Sequence, residues 1–192
     1  VWKKLLPGDG APDWKNDPVL ILGLRRLHAE SDGPDWAYVF EDLYALATPP
    51  CPQAGELATL ARAWLAGRED RAEWAHIWQD LLAQHEGLPD GLALGDLLRL
   101  GAQWLAGRES SEEWGFVCEA LLDQQFQAVT FIEHAAAWLK RTGAKPEWPL
   151  LAAKFIIAAP LHAASVEFAR VLTARIKACA NKAHWFKTAN LV

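Results

Sequence analysis

The sequence predicts an all-α fold, a right-handed α-solenoid of about five helical hairpins with a period of 34–40 residues. Three observations predict it. The segment Trp64-Leu65-Ala66-Gly67-Arg68-Glu69 returns unchanged as Trp104-Leu105-Ala106-Gly107-Arg108-Glu109, and each copy is followed by Glu73-Trp74 or Glu113-Trp114 at the same offset. That downstream Trp belongs to a wider series, Trp36, Trp74, Trp114, Trp148 and Trp185, with periods of 38, 40, 34 and 37 residues. A second series, Arg26, Trp64, Trp104, Trp138 and Arg175, lies ten residues upstream every time. The offset stays fixed while the period drifts, so the insertions fall outside the corner that joins the two anchors. A period of this length marks stacked copies of one small unit.

The segment before the upstream anchor has helical spacing and is called helix A. Leu57, Leu60, Ala61, Trp64 and Leu65 fall at i, i+3, i+4, i+7 and i+8, which draws one apolar stripe. The same positions carry Val19, Leu22, Gly23, Arg26 and Leu27 in the first copy, then Leu97, Leu100, Gly101, Trp104 and Leu105, then Phe131, His134, Ala135, Trp138 and Leu139. One position stays small in four copies (Gly23, Ala61, Gly101, Ala135) and is Leu172 in the fifth. A small residue there lets two helices approach while the Trp fills the space beside it. Gly67 and Gly107 stand where a helix C-cap is expected.

Helix B is predicted around the downstream anchor. Asp32, Asp70, Ser110 and Asn181 stand four residues before it as N-cap candidates, with Ala144 in the fourth copy. Asp70 with Glu73 and Ser110 with Glu113 have capping-box spacing, and Pro34 and Pro146 fit a first turn. The stripe Trp74, Ile77, Trp78, Leu81, Leu82 is echoed by Trp114, Val117, Cys118, Leu121, Leu122. Each unit is then a helical hairpin with a tight corner. The units read as 15–48, 53–86, 92–125, 126–159 and 160–192, together one repeat array over 1–192.

Residues 1–14 open with Val1-Trp2-Lys3-Lys4-Leu5-Leu6, which aligns with Ile77-Trp78-Gln79-Asp80-Leu81-Leu82 and so reads as the second half of a helix B. Terminal repeats of such arrays normally carry polar caps. The sequence is therefore expected to be a fragment of a longer protein.

Composition narrows the class. At 52% apolar residues the chain has enough hydrophobic material for a continuous core. Of its 11 Trp, at least eight fall on repeat positions, which assigns them to structure: Trp36, Trp64, Trp74, Trp104, Trp114, Trp138, Trp148 and Trp185. Trp14 fits no anchor and is placed in a connection. No stretch approaches the roughly 20 apolar residues of a membrane helix, so no membrane partner is expected. The three cysteines, Cys51, Cys118 and Cys179, are unclustered, and Cys118 occupies an apolar helix B slot. A buried free thiol and a reducing, cytoplasmic setting follow.

Charge is uneven. Residues 1–139 hold 10 Lys/Arg against 22 Asp/Glu, whereas residues 140–192 hold 9 against 2. Solvated faces account for this, or the basic end meets an acidic partner.

Catalytic constellations are missing from the sequence. It holds no phosphate-cradling glycine loop, no Gly-x-Ser-x-Gly and no His-Glu-x-x-His. No two of the six histidines stand at i, i+4, and His134, on the helix A stripe, reads as a satisfied core residue. Paired carboxylates such as Glu41-Asp42 and Glu112-Glu113 read as solvated faces or dipole partners at helix starts. No enzyme activity, metal or cofactor is expected.

These hairpins resemble the α-solenoid superfamily of tetratricopeptide-like and HEAT-like repeats, over nearly the whole chain. The tetratricopeptide pattern itself fails after Trp64 and Trp104, where the Leu-Gly-x-x-Tyr series is absent. The run Trp-Leu-x-Gly-Arg-Glu-x-x-x-Glu-Trp is similar to Trp-anchored arrays of bacterial multidomain conflict proteins of the STAND type. That resemblance implies a sensing arm beside a signalling ATPase or effector domain.

The expected function is recognition of a protein or peptide on the concave face of the array. With the anchors committed to structure, specificity is assigned to variable polar positions of helix A: Arg62, Gln103 and Lys140, with Arg26 and Arg175 as the two copies in which Arg replaces the anchor Trp. Two other readings remain: nucleic-acid or acidic-partner binding through the basic last hairpin, and head-to-tail self-association. Overall acidity and the lack of a groove-reading motif count against nucleic acid.

Overall fold

The computed structural model describes residues 12–47, 51–86, 88, 92–127, 130–141, 148–158 and 166–179. Among these residues the chain is all-α, with nine helices and no strand. They are α1 (Pro18–Ala29), α2 (Trp36–Tyr44), α3 (Pro52–Leu65), α4 (Trp74–Ala83), α5 (Leu94–Leu105), α6 (Trp114–Asp123), α7 (Ile132–Arg141), α8 (Trp148–Ala158) and α9 (Val166–Cys179). Four successive A–B hairpins and a fifth helix A account for all nine, the helical-repeat arrangement expected from the periodicity. The chain divides into two compact units, Val1–Leu97 and Leu98–Val192, with the division falling inside α5. In the first, α1 packs on α2, α3 on α4, and α2 on both α3 and α4; in the second, α6 packs on α8 and α7 on α9. The expected helix B at Trp185, the cap residues Ala144 and Asn181, Pro146 and the opening segment 1–11 lie outside the described residues.

Helix B follows the expected stripe. Trp74, Ile77, Trp78, Leu81 and Leu82 are all buried, and so are Trp114, Val117, Cys118, Leu121 and Leu122. Helix A does not follow its predicted stripe. The fully buried positions are i, i+1, i+4, i+7 and i+8, for example Leu57, Ala58, Ala61, Trp64 and Leu65. The i+3 position lies at the margin: Leu60, Leu100 and His134 are half-buried, and Leu22 is exposed. The buried face is thus centred nearer the i+1 position, with Ala58, Leu98 and Ile132 inside at the expense of the i+3 flank.

The helix caps depart from expectation. Each described helix B begins at its anchor Trp, as the anchor series implies, but the residues four places earlier do not cap it. Asp35, Glu73 and Glu113 immediately precede the helices and make no side-chain cap. Asp32, Asp70 and Ser110 are therefore not N-caps, the two capping boxes do not form, and Pro34 lies in the preceding turn. In their place two successive tight turns carry the chain round, closed by Arg71 N–H to the Arg68 carbonyl at 3.0 Å and Trp74 N–H to the Arg71 carbonyl at 3.2 Å. α1 has the expected chemistry at its start: Asp17 accepts from the Val19 and Leu20 N–H groups, with Pro18 at the first position. At the helix A C-termini, Gly107 has φ +81°, the left-handed value only Gly adopts cheaply. Gly67 does not share it, and α3 stops on Ala66 at φ −77°.

Candidate functional site

The repeated corner has a physical explanation that starts from the end of helix A. A helix leaves its last four carbonyls without internal partners. The anchor Trp of helix B supplies one: Trp36 Nε1 donates to the Leu27 carbonyl at 2.9 Å, Trp74 to Leu65 at 3.0 Å and Trp114 to Leu105 at 2.9 Å. The nine-residue offset of these pairs explains why the corner tolerates no insertion. The Arg of the Gly-Arg-Glu run supplies a second partner. Arg68 and Arg108 fold back to donate to the Trp64 and Trp104 carbonyls at 3.3 and 3.4 Å. Their guanidinium groups lie 5.6 and 5.8 Å from the centres of the same Trp rings.

The anchors also join neighbouring repeats within each compact unit. Trp36 stacks on Trp64 with ring centres 5.2 Å apart, and Trp114 on Trp138 at 5.4 Å. The residue after the first four helix B anchors is small or Pro (Ala37, Ala75, Gly115, Pro149), whereas Phe186 follows the fifth. Gly115 shows why: a Cβ there would lie 3.0 Å from the Trp138 ring. Arg68 also pairs with Asp32 of the preceding repeat. All seven described anchor tryptophans are at most 5% exposed, and Trp185 lies outside the described residues.

The five residues proposed for recognition divide into two kinds. Arg62, Gln103 and Lys140 are exposed. They stand at −2, −1 and +2 from their helix A anchors, within about 100° of one another on the side opposite the Trp. Lys140 pairs with Glu167, whose carboxyl Arg170 also holds; the two cations keep it at about 2. Arg26 and Arg175 take structural roles. Arg26 pairs with Glu30 at 3.1 Å and Asp35 at 3.2 Å. Arg175, on α9, donates to the Leu139 carbonyl at 2.7 Å and the Lys140 carbonyl at 2.6 Å. The Leu139 carbonyl is the one that an anchor indole takes in the first three repeats. Lys140 and Arg175 are thus adjacent.

Glu109 is the one buried charged residue among those described. His134 Nδ1 lies 2.7 Å from its carboxylate, so His134 is satisfied, though at the rim of the core. Burial raises the Glu109 carboxyl, but its own N–H, His134 and the Gly107 N–H outweigh that and hold it below the ordinary range. Cys118 is fully buried, and that burial pushes its thiol well above the ordinary value.

Two inter-helix grooves escaped the sequence reading. A groove of about 410 Å³ lies between α2 and α4, lined by Glu41, Tyr44, His76, Asp80 and Gln84 among others. Burial, then the Asp80 charge, raises the Glu41 carboxyl, and burial raises Asp80. Glu41 is therefore not part of a fully solvated face. Between α6 and α8 a second groove, of about 600 Å³, includes Asp123 and Lys154. Acidic residues recurring five and six places after the anchor Trp were the available signal. Their meaning depends on which residue of the next helix B lies opposite.

Among the described residues no three His, Cys, Asp or Glu side chains converge as a metal site, and no helix is long and apolar enough to cross a membrane. No family model matches the chain, and no curated protein or solved structure matches it either.

Proposed function

We propose that this chain is a non-enzymatic recognition module that binds a protein or peptide on the solvent face of its A helices. The observation that carries the reading is a division of labour. The anchor residues that recur between copies are buried and the recurring Arg68 and Arg108 are tied to corner carbonyls, while Arg62, Gln103 and Lys140, which differ between copies, stand exposed. Arrays built this way recognise through what varies. A right-handed solenoid acting as the sensor arm of a bacterial defence or signalling protein, working in the cytoplasm, is the finer form of the proposal. It draws on the resemblance of the Trp-anchored corner.

Binding through the basic end is less favoured, because Lys154, Arg170 and Arg175 are all engaged internally. Capture of partners by the tagged chain, compared with a variant carrying Arg62→Glu, Gln103→Glu and Lys140→Glu, tests the assignment. Loss of capture with an unchanged circular dichroism melt is expected. Undiminished capture would exclude this face.

A further inference from the structure

The helix pairs α2/α4 and α6/α8 meet through the same helix positions. Counted from the anchor Trp, position five of the earlier helix faces position six of the later one. In the second compact unit these are Glu119 and Lys154, whose ammonium lies 2.7 Å from Glu119 and 2.6 Å from Asp123. In the first unit they are Glu41 and Asp80, with Asp42 and His76 beside them. A carboxylate thus stands where its counterpart holds a cation, and among the described residues no Lys or Arg lines the groove.

A second observation is independent of charge. The Tyr44 side chain is 1% exposed, lines this groove, and its hydroxyl has no hydrogen-bond partner. Gln84 Oε1, also on the groove, is likewise unpartnered. Buried polar atoms left in this state are uncommon in folded proteins. Two carboxylates, an amide oxygen and a phenol form a set of acceptors for a group with several N–H donors, which describes an ammonium or a guanidinium. The groove is open to solvent. Exposed Tyr38, three and four residues before Glu41 and Asp42, shares their face of α2 and offers a ring to an aliphatic stem.

We propose that the α2/α4 groove is a docking slot for a lysine or arginine side chain presented by a peptide segment of the binding partner, supplying from outside the cation that Lys154 supplies from within between α6 and α8. This rests on the reading of the chain as a peptide-recognition module and names the chemistry of its ligand.

The test is an amide-resolved NMR titration of the full chain with the pentapeptide Gly-Ala-Arg-Ala-Gly, its lysine counterpart, and a control with citrulline in place of arginine. Shifts on α2 and α4 with the two basic peptides, and at least tenfold weaker binding of the control, are expected. Asp80→Lys, which copies the second groove into the first, should raise the melting temperature and abolish the shifts. Glu41→Gln with Asp80→Asn should weaken binding at least tenfold without disturbing the fold. Tyr44→Phe should weaken it severalfold with no loss of thermal stability. Basic-peptide shifts that survive in Asp80→Lys, shifts confined to other helices, or spermidine binding as tightly as the peptides would each overturn the proposal. A silent groove in a protein whose partner capture still depends on Arg62, Gln103 and Lys140 overturns the slot alone, whereas the recognition reading falls only with that capture.

Discussion

The first and second repeats solve the same problem at their corners with different side chains. In the second, Trp64 fills the space at the end of helix A, Arg68 lies over its ring and caps its carbonyl, and Trp74 caps Leu65. In the first, Arg26 stands in the Trp position and the residue matching Arg68 is Glu30, so the cation and its partner have exchanged places. The cap from helix B, Trp36 to Leu27, is kept. The part shared by these two corners is therefore the indole hydrogen bond to a carbonyl in the last turn of helix A, while the upstream aromatic is replaceable. The fourth repeat extends the point, because there Arg175 reaches the equivalent Leu139 carbonyl from the next helix A.

The largest test of this comparison is Trp74. Its side chain is fully buried, and truncation to Ala leaves a cavity costing about 3–5 kcal/mol. Against a typical domain stability of about 5–15 kcal/mol, denaturant unfolding of Trp74→Ala should show a loss of roughly a fifth or more. Trp74→Phe separates the hydrogen bond from the bulk of the ring. It should cost about 1–3 kcal/mol, the range for a buried polar group that loses its partner, and Trp36→Phe should cost the same. A Trp36→Phe variant as stable as the parent would show that the cap is not shared between the two corners.

Gly67 and Gly107 sharpen the comparison within an identical six-residue motif. Gly107 has φ +81° and Gly67 does not. Ala at position 107 should cost about 1–2 kcal/mol, since a side chain opposes the left-handed conformation. Ala at position 67 should be neutral or stabilise by up to about 1 kcal/mol through the unfolded chain. Neither glycine has an atom within 4 Å of an added Cβ, so sterics do not confuse the reading. Equal melting shifts for the two substitutions would mean that both corners share one backbone.

Corner acidity gives a smaller effect with a definite sign. The Glu109 carboxyl is held below the ordinary carboxylate range in the folded chain by hydrogen bonds that outweigh its burial. The stability this contributes is complete above the unfolded value and is lost as pH falls through the folded one. Glu41 and Asp80 have the opposite sign: their raised carboxyls disfavour the folded state once ionised, so acidification toward their range relieves a penalty. Glu109→Gln should therefore flatten the acid limb of a melting-temperature profile, and Glu41→Gln should raise the neutral plateau.

Much of this architecture was legible because it is written in large residues at fixed spacing. The anchor tryptophans and the helix B stripe needed only periodicity. The helix B caps differ from expectation because Asp70 and Ser110 satisfy a local capping rule, whereas the corner is set by a tertiary requirement that the Trp74 and Trp114 indoles reach Leu65 and Leu105. Helix A was misread by one position because Leu60 and Leu100 are as apolar as the residues that are buried. The two grooves were hidden for a different reason. Glu41 acquires its character from burial and then from Asp80, 39 residues away, and the sequence does not give the register of one helix B against the next.

The smallest expected effect tests whether the exchanged ion pair of the first corner matters for folding. The Arg26 side chain is 36% exposed, and its partners Glu30 and Asp35 are 55% and 59% exposed. Pairs in that setting contribute about 0–1 kcal/mol and are screened by salt. Arg26→Ala should lower stability by less than about 1 kcal/mol, and the difference should shrink as ionic strength rises. Arg68→Ala should cost more, because Arg68 is only 17% exposed and also loses the Trp64 ring and carbonyl. A salt-independent loss at Arg26 as large as that at Arg68 would show that the first corner depends on Arg26 as the second depends on its Trp–Arg pair. The exchange of cation and partner would then be a full structural substitute rather than an adjustment of the surface.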